Sequence, residues 1–505
     1  MASKGPFSGP GGTGFCYHLG RWKRAQRCAP ESTVGINGDP GFDGHSMARL
    51  GRLFGKPMKK HGSFPRSVMP WCASFAALGL LSTPLMADAP AAAPVPSPIS
   101  AGDTAWVLVS AALVLLMTPG LALFYGGMVR RKNVLSTMMQ SFILMAFVSL
   151  LWVLFGYSLA FGPDTGHGLI GGLAWVGLRG VGAAPDPAYA PTIPHQVFMI
   201  YQMMFAVITP ALITGAFAER MKFSSFLVFS LLWTTFIYLP VAHWIWGQGG
   251  WLRERGALDF AGGMVVHLSA GVSALVAAVM LGKRRGLGSE DMLPHNMTMV
   301  LLGTGLLWFG WFGFNAGSAL GANALAATAF LNTNTAAAAG TVSWLALEWT
   351  LKSKPTALGA ASGAVAGLAT ITPAAGFVTP MAAIAIGAAA SLLCYNAIML
   401  KNKLGYDDSL DAFGVHGVGG LLGSLALGLF ATTAVNPAGA DGWFHGNPHL
   451  FFVQCQAVLA VAAFSAAGTF VILRAVEFML GARAHHQHEE VGLDLTQHGE
   501  SGYEL

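Results

Sequence analysis

Gly262-Gly263-Met264-Val265-Val266-His267-Leu268-Ser269-Ala270-Gly271 is an apolar run with one ionisable side chain, and Phe413-Gly414-Val415-His416-Gly417-Val418-Gly419-Gly420 is another. Each histidine sits in a segment of about 20 apolar residues, the length that crosses a bilayer as a helix. An ionisable group inside such a segment is costly and points to function. Each histidine also follows an aspartate, Asp259 or Asp411. The two segments stand five spans apart, so they read as equivalent members of an internal repeat. A repeat with an odd number of spans inserts in inverted orientation, and equivalent helices then meet near the midplane.

Composition agrees with this reading. Of 505 residues, 54% are hydrophobic and 10% charged, whereas soluble domains carry about 25% charged residues. Continuous apolar runs, rather than alternating ten-residue segments, exclude a β-barrel. The predicted fold is an all-α polytopic membrane protein of about eleven transmembrane helices with two inverted five-helix repeats. The spans fall near 104–127, 134–161, 195–217, 225–245, 260–281, 297–316, 326–350, 356–372, 377–399, 411–433 and 449–480. Basic clusters then follow the first, third, fifth, seventh and ninth spans: Arg130 to Lys132, Arg220 and Lys222, Lys283 to Arg285, Lys352 and Lys354, Lys401 and Lys403. The positive-inside rule puts them in the cytoplasm, with the mature N-terminus outside and the C-terminus inside. The opposite loops carry scattered charges such as Arg179, Arg253 and Arg255. The net charge of +5 is thus a topology signal, not a sign of nucleic-acid binding.

Ahead of the membrane domain (100–480), residues 1–57 read as an N-terminal extension or a mis-called start, the true start being Met58 or Met47. Residues 58–89 read as a signal peptide: Lys59, Lys60 and Arg66, a short apolar core from Trp71 to Leu81, and cleavage near Ala87 or Ala89. Cys16, Cys28, Cys72, Cys394 and Cys455 form neither a disulfide framework nor a metal spacing. No metal and no cofactor are expected.

Two neutral imidazoles brought together can share a proton, one nitrogen donating and the other accepting. Such a pair suits a small molecule that both donates and accepts, as ammonia and water do. A packing role for each histidine, or a metal site needing further ligands, are the other readings. Trp246, in His243-Trp244-Ile245-Trp246-Gly247, fits either a pore mouth that attracts a small cation through the ring face or an interfacial belt. Ser318 offers an acceptor oxygen to such a cation. Phe205 and Phe314 fit a plug in a channel or ordinary core.

At these residues the sequence resembles the ammonium transporter family (the Amt/Mep/Rh superfamily), in its bacterial Amt branch. The matching stretches include Tyr201 to Phe205, Gly215 to Arg220, His243 to Gly247, Gly256 to Gly263, Val265 to His267, Gly310 to Ser318, Thr372 to Ala374 and Asp411 to Gly420. The resemblance implies an ammonium transporter of the inner membrane, not an enzyme. By the same resemblance, Trp246, Ser318, Phe205 and Asp259 bind the ammonium ion, Phe205 and Phe314 form a phenyl gate, and His267 and His416 line the pore. It also implies a homotrimer and a PII-type signalling protein bound at the cytoplasmic face. The tail, 481–505, contains Val491-Gly492-Leu493-Asp494 and His498-Gly499-Glu500, and so resembles tails of this family that dock under neighbouring subunits. An ammonium sensor with minor transport, an Rh-type gas channel and a metal-dependent membrane enzyme are the rival readings. Paired Asn-Pro-Ala boxes, the mark of an aquaporin, are absent.

Overall fold

The computed structural model describes residues 99–504, so the predicted extension (1–57) and signal peptide (58–89) lie outside the described residues. Among the described residues the regular structure is helical, with isolated bridges but no strand. Nine helices are long and apolar enough to span a bilayer: α1 (Ala101–Met128), α2 (Arg131–Phe161), α3 (His195–Phe217), α4 (Phe223–Glu254, interrupted after Trp246), α5 (Gly263–Leu281), α6 (Met297–Ala319), α9 (Pro380–Leu404), α10 (Phe413–Phe430) and α11 (Pro448–Leu480). The more polar α7 (Ala324–Lys352) and the shorter α8 (Ala357–Ile371) lie between them. The order of elements agrees with the eleven predicted spans, within a few residues at each end.

Local chemistry sets the helix starts. Ser100, Asn296, Asn323, Thr356 and Thr379 each cap a helix, their side-chain oxygens accepting from a backbone N–H three residues on. Such caps satisfy donors that have no partner inside the helix. Pro119 lies within α1 and Pro210 within α3, where packed neighbours tolerate it.

The two repeats, α1–α5 and α6–α10, run side by side, and glycines set their approach. A Cβ on Gly303 of α6 would strike the backbone at Phe124 of α1, and one on Gly271 of α5 would strike the backbone of Gly417 in α10. Without side chains at these points the backbones come into direct contact, as is common for helices packed in lipid. Both α5 and α10 open with a π-helical turn, Gly263–Leu268 and Phe413–Gly417.

The face with the basic clusters is held by ion pairs. Arg130 donates from its backbone N (2.8 Å) and its Nε to Glu219. Arg284 grips Asp407 through Nε and Nη2, both at 3.0 Å. Burial pushes the Asp407 carboxyl upward, but the hydrogen bonds and charge of Arg284 and the charge of Arg220 outweigh it and hold the group below its ordinary range. Arg220, fully buried, donates to the carbonyls of Ala216 (2.8 Å) and Asp407 (2.6 Å). The tail packs on this same face. Asp494 accepts from the N–H groups of Leu135 (3.0 Å) and Ser136 (2.7 Å) at the start of α2. Gln497 accepts from the Phe223 N–H (2.6 Å) at the start of α4, and the His498 ring lies edge-on to Phe223.

Candidate functional site

Three cavities line up between the two faces. The first, on the face opposite the basic clusters, has a volume of ≈ 340 Å³ and is bordered by Trp246, Phe205, Gln202, Ser318, Tyr189 and Arg253. The second, of ≈ 10 Å³, is bordered by Phe314, Trp311, His267 and His416 among aliphatic side chains. The third, of ≈ 40 Å³, opens beyond His416 toward Tyr125, Ser362 and Asp411. Phe205 borders the first, Phe314 the second, and His416 both the second and the third. A space of ≈ 10 Å³ is about what one water-sized molecule needs.

The first cavity brings together the residues read from the sequence. The Trp246 indole N–H donates to the Asp259 carbonyl at 2.9 Å, leaving part of its ring exposed to the cavity. The Asp259 carboxylate points the other way, into the start of α5. Its Oδ1 accepts from Gly262 (2.8 Å) and Gly263 (2.7 Å), and its Oδ2 from Met264 (2.7 Å) and Val265 (3.2 Å). Four donors that an α-helix leaves bare at its start are thereby used. Both oxygens of Asp259 are thus turned from the cavity and engaged by the backbone.

Ser318 Oγ donates to the Phe314 carbonyl (2.9 Å) and lies 3.1 Å from the Tyr201 hydroxyl, which also reaches the carbonyls of Gly313 (2.9 Å) and Phe314 (2.8 Å). Tyr201 thus pins the end of α6 on which Ser318 stands. Below Ser318, Phe205 and Phe314 pack with ring centroids 4.4 Å apart, and Phe205 sets its edge to Trp246 at 5.8 Å. Phe205 borders the first cavity and Phe314 the second, so the two phenyls stand between them.

His267 and His416 meet where α5 crosses α10. Their rings are nearly parallel, 12° apart, with centroids at 5.3 Å, and His267 also stacks on Trp311 at 5.4 Å. No hydrogen bond joins the two imidazoles. Both nitrogens of His267 and Nδ1 of His416 are buried without a partner in the protein. Trp311 Nε1 instead donates to Thr372 Oγ1 at 2.9 Å. An unpaired buried polar atom costs about 1–3 kcal/mol, and three such atoms lie together here.

The aspartate matched to Asp259 is not Asp411. Asp408 accepts from Ala412 (3.0 Å) and Phe413 (2.8 Å) and caps α10 as Asp259 caps α5. Asp411 pairs with Lys401 instead. Both capping aspartates stand eight residues before their histidine, a spacing that identifies the pair. Burial and the neighbouring charge of Asp411 push the Asp408 carboxyl up to about 6. Sequence reading also passed over Tyr201 and Gln202 as site residues. Gln202 borders the first cavity, and its Oε1 has no protein partner. Among the described residues, no group of three or more His, Cys, Asp or Glu side chains is placed to hold a metal ion.

Residues 105–503 match the model of the Ammonium Transporter Family. The chain belongs to that family. It is similar to an ammonium transporter of Bacillus subtilis, 58% identical over 405 residues that cover 80% of this chain and 98% of the relative. It is also similar to ammonium transporter Amt1 of Archaeoglobus fulgidus, 49% identical over 80% of this chain and 100% of the relative. Among solved structures, Mep2 of Saccharomyces cerevisiae is similar with a TM-score of 0.73 at 37% identity, covering 77% of this chain and 88% of Mep2. A structure titled "Sensor Amt Protein" is similar with a TM-score of 0.72 at 31% identity, covering 78% of this chain and 98% of that one. For this family member, ammonium is the supported substrate and a multi-pass membrane setting the supported context.

Proposed function

We propose that the protein recruits ammonium ion in the first cavity, strips its proton, and conducts ammonia past His267 and His416. The observation that carries this reading is the lumen of ≈ 10 Å³ in which the only polar atoms without a protein partner belong to the two histidines. A bare cation entering so small an apolar space loses its water, at a cost of several kcal/mol or more. Ammonia is neutral, and it donates and accepts, so it can bond to imidazole nitrogens in passage. Potassium has the charge but no proton to give up, and this scheme excludes it.

In the first cavity the Trp246 ring face attracts the cation, Ser318 accepts a hydrogen bond from it, Phe205 closes over it, and Asp259 contributes its field from behind. Phe205 and Phe314 gate the lumen. The 100–480 segment is the transport domain, oriented in the inner membrane with the first cavity outside and the 481–505 tail in the cytoplasm. The working assembly is a homotrimer, blocked by a PII-type protein at the basic face, and the segment 58–89 is a cleaved signal peptide. The likeness to a protein titled as a sensor admits a sensing role, but the higher identity to relatives named as transporters favours transport.

The test is current on a solid-supported membrane bearing proteoliposomes, pulsed with ammonium and then potassium, for the wild type and for His267→Ala and His416→Ala. Current with ammonium alone, altered in rate or selectivity by each variant, is expected. Wild-type behaviour in both variants refutes the histidine route.

A further inference from the structure

Arg253 is out of place in a cavity that receives a cation. It borders the first cavity together with Trp246, Phe205 and Ser318. Its Nη1 donates to the Trp246 carbonyl at 2.6 Å, which ties the guanidinium to the backbone of the aromatic residue that faces the cavity. Among the described residues no carboxylate forms an ion pair with Arg253. The nearest acid in the cavity lining, Asp259, has both oxygens engaged by backbone N–H groups. The neighbouring Arg255 is turned away, its guanidinium 5.5 Å above the Trp251 ring. One fixed positive charge therefore borders the cavity with no carboxylate in ion-pair contact among the described residues; the acid whose charge reaches the same wall, Asp186, acts with Arg253 on Tyr189 but does not pair with it.

We propose that Arg253 is an affinity-setting residue that weakens cation occupancy of this cavity by charge repulsion while holding the Trp246 backbone in place. The inference rests on the reading of this cavity as the ammonium recruitment site. The attraction of the Trp246 face and the repulsion of Arg253 oppose each other, and the balance keeps the ion loosely held and quick to move on. A field acting through solvent is screened, with a Debye length of about 30 Å at 0.01 M salt and less than 8 Å above physiological strength. Occupancy therefore depends on ionic strength in a way that a purely aromatic site does not.

The charge at this position can be stepped. Arg253→Lys keeps it, Arg253→Gln removes it, and Arg253→Glu reverses it. The readout is the ammonium concentration giving half-maximal current in proteoliposomes, at low (about 0.01 M) and high (about 0.3 M) ionic strength set by a non-substrate salt. At low salt the Lys variant should match wild type, the Gln variant should bind about threefold tighter, and the Glu variant tighter still. The three should converge at high salt. Half-saturation that does not follow charge, or differences that persist at high salt, overturn the proposal and leave Arg253 as a prop for Trp246. Elution as a single species in size exclusion separates these results from misfolding. Trp246→Leu is measured alongside. A shift there with a flat Arg253 series defeats this inference alone, whereas no shift there defeats the recruitment reading beneath it.

Discussion

Replacing Asp259 with asparagine turns one carboxylate oxygen into an NH₂ group. In the wild type, each oxygen accepts from two backbone N–H groups at the start of α5. In the variant, the remaining oxygen serves one pair, and the amide NH₂ faces the other pair donor to donor. Two buried N–H groups lose their acceptor, at about 1–3 kcal/mol each, or about 2–6 kcal/mol together. At about 2.1 cal/mol/K of unfolding entropy per residue, over roughly 400 structured residues, this lowers the melting temperature by about 2–7 °C. Asp259→Ala removes all four acceptors and should fall further. The assay is thermal melting of purified protein followed by size exclusion, with ammonium-evoked current recorded in parallel. The expected order is wild type, then Asn, then Ala, with current reduced in both variants because α5 carries His267. An Asn variant that melts with the wild type, or Asn and Ala variants that melt together, would show that the four hydrogen bonds do not hold the start of α5.

Gly271→Ala should prevent stable assembly of the two repeats, because the added Cβ meets the Gly417 backbone; a monodisperse variant with wild-type yield would contradict that contact. At an unconstrained position the same change stabilises by about 0.4–1 kcal/mol. Phe314→Ala opens the 4.4 Å stack with Phe205 and should admit potassium, so a variant as potassium-tight as wild type removes the phenyl pair from the barrier. Docking of the tail should weaken in mild acid. Burial holds the His498 imidazole below its ordinary value of 6.5, so below that pH the undocked tail takes up a proton that the docked tail does not, and docking falls until the lowered value is reached. Burial raises the Asp494 carboxyl, which acts with the opposite sign but at lower pH, between 3.8 and its raised value. Amide exchange across 486–500, corrected for intrinsic rate, should be faster at about pH 5.5 than at about pH 7.5, and His498→Gln should flatten the difference.

Much of the membrane domain was legible because a bilayer constrains sequence strongly. Eleven apolar segments and alternating basic loops were enough for the helix order, and two histidines at equivalent places were enough for the repeat. The aspartate partner was misread because Asp411 is nearer to His416 in sequence, while the shared offset of eight residues points to Asp408. Tyr201 and Gln202 lie one helical turn before Phe205, and only the approach of α6 makes Tyr201 the support of Ser318. The missing hydrogen bond between the histidines depends on ring rotation about χ2, which no motif encodes. Arg253 read as one scattered loop charge until the turn after Trp246 folded it back over that residue's carbonyl.

The wide opening turns of α5 and α10 have a consequence for which changes this chain can accept. A π-helical turn holds an extra residue relative to an α-turn. Deleting a single amino acid from Gly263–Leu268 or Phe413–Gly417 would let the segment relax into ordinary α-helix. A π-turn spends that extra residue over nearly the same rise and rotation as an α-turn, so the residues on either side of the deletion would keep their places, whereas the same deletion in ordinary α-helix would turn them by about 100° and shift them by about 1.5 Å. The disturbance would be confined to the wide turn itself, which holds His267 in α5 and His416 in α10. The wide turns are therefore places in α5 and α10 where one residue can be lost without turning the rest of the helix, whereas the loop between Gly247 and Leu258 is held to its length by the bond of Arg253 to the Trp246 carbonyl.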